Sequence, residues 1–218
     1  MTRAQPAPVG STAGNCATRD IEALLFDLGG VFIEVVGAER MVQWCPALAD
    51  TDGLWRRWLA SPAVRAYESG RSTRQQFAQA VIDEFALPVD TAAFLDEFTW
   101  WPRSLYDDAT PLLRELKPRY RLASLSNTNE LHWERFERDW QLGSHFHANF
   151  PSYAVGRLKP DADYFEHVLE TLDVAPARAL FIDDNALNVE AAARLGINAR
   201  KAIGPAGVRA VLAELDLL

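Results

Sequence analysis

The sequence predicts an α/β fold in which a parallel β-sheet is covered by helices on both faces. Three short apolar runs carry this prediction, at residues 21–26, 121–125 and 179–182. Each run is followed by polar residues, as is common where a buried parallel strand leads into a loop. Helical patterns separate the runs, and such alternation is typical of a parallel sheet between two layers of helices.

The helices predicted around these strands cover residues 107–116, 129–140, 161–172 and 185–195. After the first strand the pattern changes to one helix after another, with no comparable apolar strand. In this stretch Thr73 and Gln76 match a capping box, in which two side chains bind unpaired backbone N–H groups at a helix start. We therefore predict a helical cap at residues 37–105, inserted into a core of residues 21–36 and 106–218.

The first 20 residues have a different composition from the rest of the chain. Residues 1–20 are rich in Pro, Gly, Ser, Thr and Ala and contain almost no large apolar side chains. Such a segment buries too little apolar surface to offset the entropy lost on ordering. We predict a flexible N-terminal extension.

The composition excludes several classes of protein. The chain has 218 residues, 22 Lys and Arg against 30 Asp and Glu, and a formal net charge of -8. Nucleic-acid binding depends on clustered cations that neutralise phosphates, and no block of Lys or Arg occurs, so we expect no nucleic-acid partner. No stretch reaches the ~18 uninterrupted apolar residues that a membrane span requires, so we expect no membrane segment.

The cysteine content bears on the compartment. Cys16 and Cys45 are the two cysteines of the chain, and they can form neither a disulfide framework nor a cysteine metal site. The N-terminus also lacks the apolar stretch of a secretory signal. We expect a cytoplasmic protein, and the oligomeric state stays open.

Polar side chains follow each of the three predicted strands. They are Asp27, the pair Ser126 and Asn127, and the pair Asp183 and Asp184. Because ligands of open parallel sheets bind beyond the carboxyl ends of the strands, we expect these side chains to converge. Clustered carboxylates repel one another unless a cation joins them, and oxygen ligands suit Mg²⁺. The sequence therefore predicts a magnesium site.

Other residues predict a phosphate site beside this cluster. Lys159 comes just before Pro160, a residue that can start a helix, and its ammonium could hold a phosphate oxygen and a carboxylate together. Gly29 and Gly30 leave their backbone N–H groups free to approach an anion, and Ser126 adds a hydroxyl donor. Together these groups indicate a phosphate-binding site next to a carboxylate nucleophile.

Four segments in this order resemble the motifs of the haloacid dehalogenase-like hydrolase superfamily. They are Asp-Leu-Gly-Gly-Val at 27–31, Ser-Asn-Thr-Asn at 126–129, Lys-Pro-Asp at 159–161, and Asp-Asp-Asn at 183–185 with Asn188. The resemblance covers about residues 21–218 and implies a Rossmann-like core with an inserted helical cap. Segments 125–132 and 67–70 resemble, more narrowly, the sugar-phosphate phosphatase branch that includes bacterial alpha-D-glucose-1-phosphate phosphatases.

The resemblance implies a phosphatase reaction and a role for each motif residue. Asp27 would attack phosphorus and form an aspartyl phosphate that water then cleaves. The Mg²⁺ ligands would be Asp27, the Gly29 carbonyl and Asp184, with Asp183 a direct or a water-mediated ligand. The phosphoryl group would be bound by Ser126 and the Asn127 amide and neutralised by Lys159, and Asn188 would orient Lys159 or the metal shell.

One position departs from the common phosphatase pattern. That pattern has a second Asp two residues after the nucleophile, which acts as general acid and base, whereas this sequence has Gly29. Loss of such help costs about 10²–10⁴ in rate, and less with a good leaving group. An anomeric sugar phosphate has such a leaving group, so we expect a small phosphomonoester, with a sugar 1-phosphate as one candidate substrate.

Two further functions stay open at this stage. A 2-haloacid dehalogenase would use the same Asp27 without a metal, but enzymes of that type carry Ser in place of the acidic pair Asp183 and Asp184. A non-catalytic module that binds phosphorylated metabolites is the other alternative, although it would have less need of a nucleophile.

Two side chains outside the motifs also have more than one interpretation. Glu68 belongs either to a substrate loop or to a helix that ends at a left-handed Gly70. His132 either contacts the leaving group or is a structural side chain of its helix.

Overall fold

The centre of the molecule is a five-stranded parallel sheet. The computed structural model describes residues 20–44 and 51–218. Within them the strands are β1 (Ala23–Phe26), β2 (Ile33–Val35), β3 (Pro102–Leu105), β4 (Arg121–Ser126), β5 (Ala148–Pro151), β6 (Ala179–Asp183) and β7 (Asn198–Lys201). The order across the parallel sheet is β5-β4-β1-β6-β7, whereas β2 and β3 form a separate antiparallel pair. The three predicted strands are therefore confirmed, and they lie side by side in the sheet.

The helices of the described residues fall into two groups. The first group lies between β2 and β3 and contains α1 (Gly37–Trp44), α2 (Thr51–Ala60), α3 (Pro62–Glu68), α4 (Arg74–Phe85) and α5 (Thr91–Thr99). The second group follows β3 and contains α6 (Ala109–Leu116), α7 (Glu130–Trp140), α8 (Ser152–Val155), α9 (Ala162–Leu172), α10 (Ala186–Arg194) and α11 (Gly204–Glu214). The four helices predicted around the strands are confirmed as α6, α7, α9 and α10.

Both faces of the parallel sheet are buried, which confirms the predicted α/β class. On β1, Leu24 packs on one face in a cluster with Leu112 of α6 and Leu212 of α11. Its neighbour Leu25 packs on the other face in a cluster with Val168 of α9. Successive side chains of a strand point to opposite faces, so a strand covered on both sides must be apolar throughout.

The helical block, which comprises α1 to α5, has an apolar core of its own. Tyr67 stacks on Phe77 with 4.4 Å between ring centroids, and Trp58 and Phe98 pack around them. The predicted capping box at the start of α4 is present, because the Thr73 side chain accepts a hydrogen bond from the Gln76 N–H and the Gln76 side chain accepts one from the Thr73 N–H. Aromatic packing therefore contributes to the stability of the block.

Residues 37–105, predicted as a helical cap with no apolar strand, also contain one strand. The last residues of this range form β3, which pairs with β2 in an antiparallel ladder. Because β3 reads Pro-Arg-Ser-Leu and exposes two of its side chains, it lacks the apolar run by which a buried strand is recognised. The pair β2 and β3 connects the sheet with the helical block.

Two expectations concern the ends and surfaces of the chain. The predicted extension at residues 1–20 lies, apart from Asp20, outside the described residues, as do both cysteines. Among the described helices, none has the length and apolar character needed to cross a membrane.

Candidate active site

Two neighbouring strands, β1 and β6, end at the same edge of the sheet and bring the predicted acidic residues together. Asp27 follows β1, and β1 pairs with β4 on one side and with β6 on the other. Asp183 ends β6, and Asp184 comes next. Each of Asp27, Asp183 and Asp184 has one carboxylate oxygen that lies within 4.8 Å of the corresponding oxygens of the other two.

The buried Lys159 ammonium joins two of these carboxylates. Its Nζ lies 2.9 Å from Asp27 Oδ1 and 2.7 Å from Asp183 Oδ2. The side chain of Asn127 holds the Lys159 backbone, donating to its carbonyl at 2.8 Å and accepting from its N–H at 2.9 Å. Both ends of the Asn127 side-chain amide are therefore engaged in positioning Lys159.

Asp183 is the most enclosed member of the cluster. Asn188 Nδ2 donates to both of its oxygens, at 3.1 and 3.0 Å, and the Asn185 N–H donates to Oδ1 at 2.8 Å. With Lys159 on Oδ2, both oxygens of Asp183 have protein partners. Asp183 thus acts as an anchor for Lys159, and Asn188 contacts the site through Asp183.

The electrostatics of the cluster favour a divalent cation. Burial, together with the charges of Asp183 and Asp184, raises the pKa of Asp27 to about 8 although Lys159 lowers it. Burial and Asp183 likewise raise the pKa of Asp184 to about 6. Three carboxylates around one ammonium leave an excess of negative charge, and their oxygens are the donors that Mg²⁺ prefers. The residues present therefore fit Mg²⁺.

Gly30 has a different place in the site from the one expected. Its N–H donates to the Ile33 carbonyl at 2.8 Å, so this donor is engaged within the loop and not free for a phosphate. Its φ is +67°, and a Cβ there would lie 2.4 Å from Asp184 Oδ2. Glycine is needed at this position because the backbone is left-handed and Asp184 fills the space beside it.

A cavity of about 310 Å³ opens beside Asp27, between the strand ends and the helical block. Its wall near the sheet is polar and includes Ser126, Lys159 and Asp184. The rest of the wall is mostly apolar and aromatic, with side chains that include Trp55, Trp58, Leu59, Phe98, Trp101 and Phe136. The cavity can therefore receive a molecule with a charged end and an apolar body.

Of the two ambiguous side chains, His132 has a structural position. It is buried, its Nε2 lies 2.8 Å from the Phe98 carbonyl, and its Nδ1 lies 3.1 Å from Asn129 Nδ2. Burial lowers the pKa of His132 to about 4. Both ring nitrogens are engaged, so this neutral side chain links α7 to the end of α5.

Glu68 combines both interpretations. It is the last residue of α3, and Gly70 two residues later has the left-handed φ of +71° that ends many helices. It nevertheless lines the cavity. Burial raises the pKa of Glu68 to about 7, although Lys159 and Arg65 lower it.

Sequence reasoning missed Ser152. Its buried hydroxyl accepts a hydrogen bond from the Thr128 N–H at 2.9 Å and lies in donor range of two carbonyls, Glu68 O and Thr128 O. It thereby connects the end of α3 with the loop after β4. No local pattern could have identified it, because its partners are 24 and 84 residues away.

The family model for haloacid dehalogenase-like hydrolases matches residues 21–196. The chain belongs to this family and is a hydrolase. The resemblance of its four motifs is thereby confirmed at the level of the superfamily.

Several known proteins are similar to this chain. A sesquiterpene phosphatase of Aspergillus oryzae is 28% identical over 191 residues, which cover 84% of this chain and 89% of that protein. A D-ribitol-5-phosphate phosphatase of Bacteroides thetaiotaomicron is 23% identical over 192 residues, covering 81% of this chain and 89% of the relative.

Solved structures show the same fold. A haloacid dehalogenase family enzyme of Bacteroides thetaiotaomicron, in complex with magnesium and inorganic phosphate, superposes with a TM-score of 0.69 at 24% identity and covers 84% of this chain and 94% of its own. L-2-haloacid dehalogenase of Xanthobacter autotrophicus has a TM-score of 0.62 at 22% identity, with 89% and 83% covered.

Proposed function

We propose that the protein is a Mg²⁺-dependent phosphatase that cleaves a small phosphomonoester through an aspartyl-phosphate intermediate on Asp27. The observation that carries this proposal is the cluster of three carboxylates and the Lys159 ammonium at the polar end of the cavity. Two relatives of the chain are phosphatases, which supports the same class of reaction.

The reaction proceeds in two halves. In the first, an Asp27 carboxylate oxygen attacks phosphorus while the bond from phosphorus to the ester oxygen breaks. Lys159, 2.9 Å from Asp27, orients this carboxylate and offsets the charge of the phosphoryl group, and the Ser126 hydroxyl donates to a phosphoryl oxygen. In the second half, water attacks phosphorus, and inorganic phosphate and the free Asp27 carboxylate are released.

Asp27, Asp184 and the Gly29 carbonyl would hold the metal ion, with Asp183 contributing through water because its oxygens already have protein partners. Bound Mg²⁺ supplies charge neutralisation for the transferring phosphoryl group. The residues around it supply position, since phosphoryl transfer depends mainly on alignment and electrostatic stabilisation.

The composition of the cavity wall indicates that the substrate carries an apolar organic group. Opposite the carboxylates the wall is built largely from Trp, Leu and Phe side chains, which offer few hydrogen bonds to sugar hydroxyls. A terpenoid phosphate would suit this wall, in line with the sesquiterpene phosphatase among the relatives. The sugar 1-phosphate expected from the sequence stays a prediction, to be tested beside it.

Residues 37–105 act in this proposal as a cap that covers the site, since Trp58, Phe98 and Trp101 of this segment line the cavity. A small phosphorylated metabolite is the expected partner, and a cytoplasmic location is part of the same proposal. Closure of such a segment excludes water while the aspartyl phosphate forms.

The proposal is tested by phosphate release from isoprenyl phosphates, hexose 1-phosphates, ribitol 5-phosphate and an aryl phosphate, with Mg²⁺ or with EDTA. We expect Mg²⁺-dependent release by the wild type and none by Asp27→Asn, whose amide cannot attack phosphorus. Isoprenyl phosphates should give the highest kcat/KM.

Two results would contradict the proposal. Halide release from 2-chloropropionate in EDTA, without phosphatase activity, would establish the dehalogenase. Tight binding of the phosphate esters without turnover would establish the binding module.

A further inference from the structure

Because position 29 is Gly and not Asp, the leaving group has no proton donor at the position used by the common phosphatase pattern. Among the described residues, the titratable side chains of the cavity wall outside the cluster of Asp27, Asp184 and Lys159 are Glu39, Glu68, Tyr106 and His132. Burial raises the pKa of Tyr106 above its ordinary value of 10.0, and His132 has both nitrogens engaged. Glu39 is exposed in the first turn of α1. Glu68 therefore remains as the candidate proton donor.

We infer, on the basis of the proposed phosphatase function, that Glu68 of the helical block is the general acid and base of the reaction and replaces the Asp that is absent at Gly29. Glu68 and Lys159 both line the cavity, the Lys159 charge acts on the Glu68 carboxyl group, and Lys159 in turn contacts the nucleophile Asp27. A donor that comes from the helical block would reach the ester oxygen, because that oxygen points away from Asp27 during in-line attack.

The backbone around Glu68 is held against the phosphate-binding loop. The Ser152 hydroxyl donates to the Glu68 carbonyl and accepts from the N–H of Thr128, two residues after Ser126. Gly70 also approaches α8, the helix that contains Ser152, since a Cβ at Gly70 would lie 2.4 Å from the Tyr153 carbonyl oxygen. The end of α3 therefore sits at a defined place over the motif that binds the phosphoryl group.

The charges around Glu68 leave both of its protonation states accessible near neutral pH. The cations that face it are Lys159 and Arg65, and Arg65 is itself paired with Asp161 at 2.6 Å. Burial outweighs both cations and raises the pKa of Glu68 to about 7. A general acid and base works best when its pKa is close to the working pH.

The proton balance closes over the two halves of the reaction. As the phosphorus–ester oxygen bond breaks, protonated Glu68 gives its proton to that oxygen, so an alcohol leaves and Glu68 becomes a carboxylate. The carboxylate then accepts a proton from water, whose oxygen attacks phosphorus and displaces Asp27. Glu68 is protonated again when inorganic phosphate is released.

The test compares Glu68→Gln with the wild type on phosphomonoesters whose leaving groups range from 4-nitrophenol to a simple alkanol, in Mg²⁺. Glu39→Gln is the matched control, because it removes another carboxylate of the cavity wall. For Glu68→Gln we expect a loss of about 10²–10³ in kcat on the alkyl ester, little loss on the 4-nitrophenyl ester, and disappearance of the alkaline limb of the pH profile. Glu39→Gln should keep the wild-type dependence on the leaving group.

A rescue variant provides a second readout. At Gly29 the one atom within 4 Å of an added Cβ would be Val35 Cγ2, at 3.4 Å, so the backbone leaves room for a Cβ there. Adding Gly29→Asp to Glu68→Gln should raise kcat on the alkyl ester at least tenfold above that of Glu68→Gln alone, since it returns a carboxyl group to the usual position.

The outcomes separate this inference from the proposed function. A wild type that releases no phosphate from any ester contradicts the phosphatase. If the wild type is active and Glu68→Gln has the same kcat on every ester, the role of Glu68 as general acid and base is overturned. A Glu68→Gln variant that loses the same factor on all leaving groups, with a raised KM, also overturns it and makes Glu68 a binding residue.

Discussion

At the scale of single residues, Asn188 links the acidic cluster to the start of α10. Its Nδ2 donates to both oxygens of Asp183, the carboxylate that also binds Lys159. In Asn188→Ala, Asp183 would lose these donors and hold Lys159 less firmly. We expect the Mg²⁺ concentration for half-maximal activity to rise about 10–100-fold, which is typical when an outer hydrogen-bond partner of a metal site is lost.

Titration of activity with Mg²⁺ measures this effect. Leu187→Ala is the control, because Leu187 is the preceding residue and 57% exposed. An unchanged Mg²⁺ requirement in Asn188→Ala would mean that Asp183 is held well enough by the Asn185 N–H and Lys159.

Some residue roles were not predictable from the sequence. The Gly30 N–H was expected to be free for an anion, yet it donates to the Ile33 carbonyl. The Asn127 side chain holds the Lys159 backbone, a contact that the sequence did not suggest. A residue type shows what a side chain can bind, whereas the partner it does bind depends on which other groups fold against it.

At the scale of elements, α7 connects the core with the helical block through Arg135. This buried guanidinium donates to the carbonyls of Thr99, Pro102 and Arg103, and it stacks on Trp100 at 4.4 Å from the ring centroid. A planar group with several donors is suited to three carbonyls at once. Arg135 therefore fixes the segment that leads from α5 into β3.

We expect Arg135→Met to lower the free energy of unfolding by about 1–3 kcal/mol, because the buried Pro102 carbonyl would lose this donor. Urea unfolding measures the change. Arg138→Ala, three residues later on the exposed side of α7, should alter it by less than about 0.5 kcal/mol. Equal effects of the two variants would contradict the role of Arg135 as a connection between the units.

At the scale of the whole molecule, the acidic cluster should make stability depend on pH and on Mg²⁺. The pKa of Asp27 is raised to about 8, from an ordinary value of 3.8, so the native state keeps a proton that the unfolded chain has already released. Between these values the native state binds more protons, and stability therefore falls as the pH rises. Glu68, with its pKa raised to about 7, adds to this fall.

We expect the metal-free protein to unfold more easily at pH 8 than at pH 6.5, with a slope of at most about 1.4 kcal/mol per pH unit for each carboxyl group. His132 opposes this fall weakly near pH 6.5, because its native pKa of about 4 leaves it neutral while the unfolded chain, with the ordinary value of 6.5, still binds part of a proton. Mg²⁺ binds the ionised carboxylates and should remove most of the dependence of stability on pH.

Urea unfolding in EDTA and in Mg²⁺ at the two pH values tests this expectation. Asp27→Asn is the informative variant, since it removes the titrating group and should flatten the dependence in EDTA. Stability that rises with pH in EDTA would show that Asp27 is ionised in the native protein and that the charge of Lys159 outweighs its burial.

The sequence by itself determined the α/β class, the strands of the sheet centre and the order of the chemical motifs. These features depend on local patterns: an apolar run shows a buried strand, and a polar residue at its end shows the binding edge. The same kind of pattern marked the capping box of Thr73 and Gln76. β3 escaped because its exposed side chains leave no such pattern.

The assembly of the site, in contrast, depends on tertiary packing. This packing placed Lys159 between Asp27 and Asp183, covered the carboxylates with an apolar wall, and held the end of α3, with Glu68, at the cavity through a contact with Ser152 that spans 84 residues. Burial then raised the pKa values of Asp27 and Glu68. Neither the long-range contacts nor the loss of water around a side chain can be read from its neighbours in sequence, because both arise when distant elements pack together.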